Sequence, residues 1–332
     1  MAASEGRPLK NFNYHNCAMN PLQYPYRFGF SIVDDTDGAL LGTVKPVYDL
    51  LARLGFRTTK TVWPLRCNSP GNPNSEAHTL EDASYAEWVR ALSQDGFEIA
   101  IHGASAESNP RAKIIRGLDR FEQVIGHLPS IHINHDQNQD NLYWGVARFD
   151  SPVIRAAVRG AKGKSRGFFV GHRPGSGSFW GDLCQKHIRY SRNLTFTGLI
   201  NLRAVNPTTP YHDEKRQFVK AWFSACNAAT PRQFVELLSA RNLERLQDEH
   251  GICILYTHFA GGFVSGGEVV GPVATALKCL AGLPGRYVPV TQLLDESLGP
   301  DSVAHVPRLP TSERMKMEYT WLRQRLIERR TS

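Results

Sequence analysis

Short apolar runs, each stopping at an acid or an imidazole, recur along this chain, with amphipathic stretches between them. Residues 27–38 (Arg-Phe-Gly-Phe-Ser-Ile-Val-Asp-Asp-Thr-Asp-Gly) pass from a strand-like run into three acids. Residues 97–103 (Phe-Glu-Ile-Ala-Ile-His-Gly) and 131–135 (Ile-His-Ile-Asn-His) run to a histidine, and 252–258 (Ile-Cys-Ile-Leu-Tyr-Thr-His) does the same. A near-continuous apolar run such as 252–257 fits a parallel strand buried on both faces. The spaces between carry apolar residues at helical spacing: 44–54 closed by Gly55, 84–94 stopped by Gly96, 112–124, 230–248 opened by Thr230-Pro231, and 269–281. Strands alternating with helices predict a parallel α/β architecture, either a barrel or a doubly wound sheet.

Further strands are expected at 57–65, at 167–172 (Gly-Phe-Phe-Val-Gly-His), at 195–202 and at 287–294, the last running into a helix. Residues 1–26 read as an irregular arm, 27–298 as one barrel domain, and 299–332 as a tail that is partly helical from Ser312. A barrel is preferred because it brings the ends of non-adjacent strands to one face. There Asp34, Asp35, His102, His135, His172 and His258 can meet although they are scattered in sequence. No glycine-rich phosphate fingerprint follows the first strand, which argues against a dinucleotide.

Composition narrows the function classes. With 332 residues, 41% hydrophobic and 21% charged, the chain has the make-up of a globular protein with a sizeable core. Its formal charge of +8 is spread out except for a dense block at 314–330, so nucleic acid is not the expected partner. No run of about 18 apolar residues is present, so no membrane partner is expected. The six cysteines lie far apart without a Cys-x-x-Cys pair, and a cytoplasmic location with reduced thiols is the expectation.

From residue 28 to 294 the order of these motifs resembles the polysaccharide deacetylase superfamily, the NodB-homology group of carbohydrate esterases. The resemblance implies a distorted (β/α)7 barrel. It implies that Asp34 is the general base, that Asp35 and His102 are metal ligands, and that His258 is the general acid. The family's second histidine, four residues after the first, is replaced by Ala106. His135 is then the candidate third ligand and His172 the next. The family's Arg-Pro-Pro segment should follow residues 126–129, where this chain has Ile133-Asn134-His135. Arg173 is the candidate stand-in for the missing arginine. The implied cofactor is a divalent metal, zinc foremost.

Asn138, Asn141, Tyr143, Trp144, Phe179, Trp180 and Asp182, with His172 and Arg173 beside them, suit a carbohydrate substrate, since rings stack on C–H faces while polar groups bind hydroxyls. The competing reading is that these aromatics pack loops onto the barrel. His127 and His132 read as structural. The expected function is hydrolysis of an acyl group from an N- or O-acylated sugar by metal-activated water. The alternatives are a metal-free glycoside hydrolase using Asp34, Asp35 or Asp37 with Asp182, and a non-catalytic carbohydrate-binding barrel.

Overall fold

Seven parallel strands pair in chain order and close on themselves. They are β1 (Phe28–Asp34), β2 (Thr59–Val62), β3 (Glu98–Ile101), β4 (Ile131–His132), β5 (Tyr190–Thr197), β6 (Ala221–Asn227) and β7 (Ile252–Thr257). In this computed structural model, which describes residues 26–161, 168–299 and 306–331, β7 returns to β1 in register, from Gly29 opposite Ile252 to Asp34 opposite Thr257. Closure leaves these strands no free edge. Every residue of β1 is buried, and only Tyr256 of β7 is partly exposed, as the apolar runs require. A hairpin of β8 (Val264–Ser265) and β9 (Glu268–Val269) lies outside the barrel sheet. The short β10 (Gly285–Tyr287) pairs in parallel with the start of β1.

Ten α-helices surround the strands among the described residues: α1 (Leu41–Arg53), α2 (Ala83–Gln94), α3 (Arg111–Ile125), α4 (Pro152–Ala161), α5 (Gly181–His187), α6 (Pro231–Leu237), α7 (Ala240–Asp248), α8 (Gly271–Ala281), α9 (Val290–Leu298) and α10 (Thr311–Thr331). Their apolar positions point inward, for example Val44, Val47, Tyr48, Leu50 and Leu51 of α1. Each such side chain, fully buried, contributes about 1.5–3 kcal/mol. Thr230 caps α6 and forms a reciprocal capping box with Gln233, with proline in the first turn as expected.

Three expectations need correction. The run at 167–172 is not a strand in its described part: Val170 donates its N–H to the Gln139 carbonyl across a loop at 2.7 Å. A Cβ on Gly171 would come within 1.9 Å of the Asp140 carbonyl oxygen, so this apolar stretch serves loop-to-loop contact. The fifth strand is instead β5, and the run expected at 195–202 overlaps only its last three residues. The sixth strand, β6, reads Ala-Trp-Phe-Ser-Ala-Cys-Asn, in which Trp222 and Phe223 are the residues that favour a strand, and all but its last residue are buried. The strand expected at 287–294 is mostly helix, since β10 stops at Tyr287 and α9 begins at Val290.

The proposed arm at 1–26 lies outside the described residues except for Tyr26, as do 300–305 of the tail. The described tail is α10, and it packs on the barrel body. Glu318 accepts the backbone N–H groups of Asp150 and Ser151 at 2.7 and 2.9 Å. Arg314 pairs with Asp213 at 2.5 Å, and Trp321 packs on Phe149 with ring centroids 4.7 Å apart.

Candidate active site

The acids that end β1 separate according to what faces them from other strands. Asp34 is 1% exposed and turned into protein. One of its oxygens meets Lys60 Nζ of β2 at 2.8 Å and the Tyr48 hydroxyl at 3.1 Å, and the other accepts the Phe259 N–H at 2.8 Å. Asp34 does not line the cavity that opens at this end of the barrel. Asp35 does, and it receives both terminal nitrogens of Arg192 from β5, at 2.9 and 2.5 Å. Burial alone would raise the Asp35 carboxyl, but Arg192, His102 and His258 outweigh it and hold it below the usual carboxylate range. Arg192 itself lies over the Tyr256 ring at 4.3 Å.

Asp37 sits one turn beyond the strand, before Gly38, whose φ of 65° lies in the left-handed region that glycine adopts without strain. Asn74 fixes this turn, accepting the Gly38 N–H at 2.9 Å and approaching Asp37 with its amide at 3.4 Å. From there Asp37 reaches three imidazoles: His102 Nε2 at 3.2 Å, His135 Nε2 at 3.0 Å and His258 Nε2 at 3.4 Å. Burial opposes the charged form of Asp37, yet the hydrogen bonds from the three rings hold its carboxyl far below the usual range. Burial lowers His135 and His258, but Asp37 and Asp35 pull both above the ordinary histidine value. The centre of this group is therefore a place where positive charge is stabilised.

The donor atoms of Asp37, His102 and His135 all lie within 4.8 Å of one another, as do those of the overlapping group Asp35, Asp37 and His258. The far nitrogens of the two candidate ligands are also engaged. His102 Nδ1 faces the Ile133 carbonyl at 3.2 Å and His135 Nδ1 faces Asn138 Oδ1 at 2.9 Å, which fixes each ring's orientation. The His102 ring stacks on Trp63 at 5.9 Å, and Trp63 donates its indole N–H to the His102 carbonyl at 2.8 Å. Two imidazoles and one carboxylate, with further positions open to the cavity, form a donor set suited to a catalytic divalent cation such as zinc. Ala106, where a second motif histidine was expected, is buried against Trp63 and Ala77, and His135 approaches from the segment after β4 instead.

The cavity is about 590 Å³. Of the expected substrate-binding residues, Trp144 lines it. Asn138 is buried and supports His135, donating to the Ser105 carbonyl at 2.9 Å. Tyr143 and His172 pack on each other at 4.4 Å, and His172 Nδ1 accepts the Tyr143 N–H at 3.1 Å. Burial pushes His172 down to about 4. Trp180 is buried and donates to the Asp140 carbonyl at 2.6 Å. Asp182 forms a partly exposed pair with Arg111 at 2.6 Å, and neither it nor the exposed Arg173 lines the cavity. For Tyr143, His172, Trp180 and Asp182 the loop-packing reading is the one that matches these contacts, and Asp182 is not placed to act with the β1 acids as a glycosidase pair. His132 is buried at an edge-to-face distance of 4.7 Å from Trp180, and burial pushes it down to about 3, in keeping with a structural role.

Sequence reasoning missed Arg192, which pairs with Asp35 where Arg173 had been considered, because the strand expected at 195–202 left out the first five residues of β5. It named Asp37 only in the glycosidase alternative. The signal available for Asp37 was its position before a glycine just past a strand end, on the rim rather than in the strand. Arg148, Trp321 and Arg325 of the cavity wall carried no motif.

No family model matches the chain, and no curated protein does. Solved structures do. A putative polysaccharide deacetylase from Mycobacterium smegmatis aligns over 88% of this chain and 96% of its own, with a TM-score of 0.51 and 14% identity. PuuE allantoinase aligns over 87% and 95% with a TM-score of 0.49 and 10% identity. A probable polysaccharide deacetylase from Pseudomonas aeruginosa PAO1 aligns over 83% and 93% with a TM-score of 0.46 and 11% identity. At 14% identity the likeness to the first of these is one of fold, and the fold is the deacetylase-type seven-stranded barrel that the motif order implied. Among the described residues, no helix is long and apolar enough to cross a membrane.

Proposed function

We propose that this protein is a metal-dependent hydrolase of the deacetylase type, removing an acyl group from an N- or O-acylated sugar, with the roles on β1 shifted along the chain. Asp37, His102 and His135 would hold the metal, Asp35 would be the base and His258 the acid. The observation that carries this reading is the meeting of Asp37 with His102 and His135 beside an arginine-paired carboxylate and a third imidazole. In the resemblance-based assignment, Asp34 was base and Asp35 ligand. That assignment is set aside because Lys60, Tyr48 and the Phe259 N–H occupy Asp34.

A divalent cation bound there would supply Lewis-acid polarisation of the acyl carbonyl. The chain's own residues do the rest. Arg192 keeps Asp35 ionised and oriented, so that Asp35 can take a proton from the attacking water as its oxygen bonds to the acyl carbon. His258 Nε2 is 4.0 Å from Asp35 and 3.4 Å from Asp37, whose charges favour its protonated form. It donates that proton to the departing nitrogen or oxygen as the acyl bond breaks, giving a carboxylic acid and the free amine or alcohol.

Purified protein incubated with N-acetyl and O-acetyl sugars should release acetate. A chelator should abolish release, and added zinc or another divalent ion should restore it. Acetate release unchanged by chelation, or no release from any acylated sugar by the metal-loaded protein, would overturn the proposal.

A further inference from the structure

The strand ends of the barrel do not enclose the cavity by themselves. Trp144 and Arg148, around the short 3-10 turn Gly145–Arg148, also line it, together with Val158 of α4 and Trp321 and Arg325 of α10. These pieces form one connected flank. The Arg148 guanidinium lies over the Trp144 ring at 3.9 Å, and Trp321 packs on Phe149, the residue after Arg148, with ring centroids 4.7 Å apart. Helix α10 also packs on α4.

The flank is fastened to the barrel at several points. Gln324, between Trp321 and Arg325 in the chain, accepts the N–H of Thr197, the last residue of β5, at 2.9 Å. Earlier in α10, Glu313 accepts the N–H and the hydroxyl of Thr208 at 3.0 and 2.7 Å, and Met317 and Glu318 are buried. Helix α10 is therefore held across the carboxyl end of β5, and Trp321 cannot swing off the cavity without breaking these contacts.

At about 590 Å³ the cavity is the size of a small-molecule site, since pockets of about 300–1,000 Å³ hold a single drug-sized ligand. A polysaccharide makes a different demand. Its units continue on both sides of the one attacked, so the chain must run past the reacting groups in two directions. A fixed flank of side chains admits a single unit or a chain end and clashes with an interior unit.

We propose that α10 sets the size of the substrate: with Trp321 as the principal wall, the cavity takes a single acylated sugar or the terminal unit of a short oligosaccharide and excludes the interior units of a polymer. The word substrate rests on the hydrolase reading, but the size limit is tested by binding as well as by turnover.

The full-length protein, kept in chelator, is titrated with N-acetylglucosamine, its β-1,4-linked dimer and its hexamer, and binding is followed by tryptophan fluorescence. The hexamer should bind no more than about twofold tighter than the dimer, because only its end enters. In Trp321→Ala the ratio of hexamer to monomer affinity should rise about fivefold or more as the flank opens. With metal-loaded wild type, mass spectrometry of the products should place acetate loss from the hexamer at a terminal unit only, and in Trp321→Ala at interior units as well. Should Trp321→Ala lose its fold by circular dichroism, Trp321→Leu and the chain-length series read the same wall. A hexamer bound about tenfold tighter than the dimer, no binding of any of the three sugars, or an unchanged hexamer-to-monomer ratio in Trp321→Ala would overturn the inference. The predicted size limit in binding, without acetate release from any probe, would sink the hydrolase reading alone. Acetate release from interior units by wild type would sink the inference alone.

Discussion

Asp34 and Asp35 are adjacent in sequence and face different partners, Lys60 in one case and Arg192 in the other. That an acid cluster ended the first strand was legible from the residues themselves. Which acid does what was not, because the answer depends on cations supplied by β2 and β5 and on how far the Asp37 turn reaches. Substitution separates the roles. Asp34→Asn leaves the fully buried Lys60 ammonium without its counter-charge, and this should destabilise the fold by about 3–5 kcal/mol, seen as a lower midpoint in urea unfolding. The kcat/KM of the protein that remains folded should stay within about tenfold of the parent. Asp35→Asn should retain bound metal and lower kcat by about 10²–10⁴. A fully active Asp35→Asn enzyme would remove that residue from the role of base.

At the scale of elements, helices α1, α2, α3 and α8 were readable because apolar spacing and stop signals agree, and β1, β3 and β7 because their runs are apolar. Strand β5 hid because its sequence, Tyr-Ser-Arg-Asn-Leu-Thr-Phe-Thr, carries Arg192 and Asn193 at an irregularity in the pairing with β6. These are the positions that put polar groups into the cavity. A strand that furnishes a site reads as a loop for that reason. Helix α10 was read as a charged, partly helical tail from Ser312; two of those charges, Arg314 and Glu318, are its attachment. Asp150 meets Lys215 at 2.9 Å, Arg216 at 3.1 Å and Arg314 at 3.4 Å. Burial alone would raise Asp150, but these cations hold its carboxyl below the usual value. Its folded pKa is thus the lower one, so its contribution is fully present above the unfolded value of about 3.9 and is lost as pH falls through the folded value. Hydrogen-exchange protection factors over 311–327, corrected for the intrinsic pH dependence of exchange, should therefore fall below about pH 4 in wild type. In Asp150→Asn, whose exchange should be faster already at pH 7, that acid step should be smaller.

For the whole molecule, the alternation of strands and helices anticipated a parallel α/β architecture, the polar strand ends and the family resemblance favoured a barrel over a doubly wound sheet, and the closed sheet and the likeness of fold to a deacetylase structure agree with it. Closure does what no local pattern could reveal. The β7-to-β1 pairing brings His258 to the acids of β1, while β3 and the segment after β4 bring His102 and His135 to the same rim. His135, the candidate read from the sequence in place of the histidine missing at 106, does approach Asp37 and His102 from the segment after β4.

The central claim is that Asp37, and not Asp35, joins His102 and His135 in holding a metal. Metal stoichiometry by elemental analysis, after loading with zinc and removal of free ion, tests it most directly. The expected result is about one ion per chain in wild type and in Asp35→Asn, and almost none in Asp37→Ala and His135→Ala, each still folded by circular dichroism. A full equivalent retained by Asp37→Ala, or no ion in the wild-type protein, would contradict it.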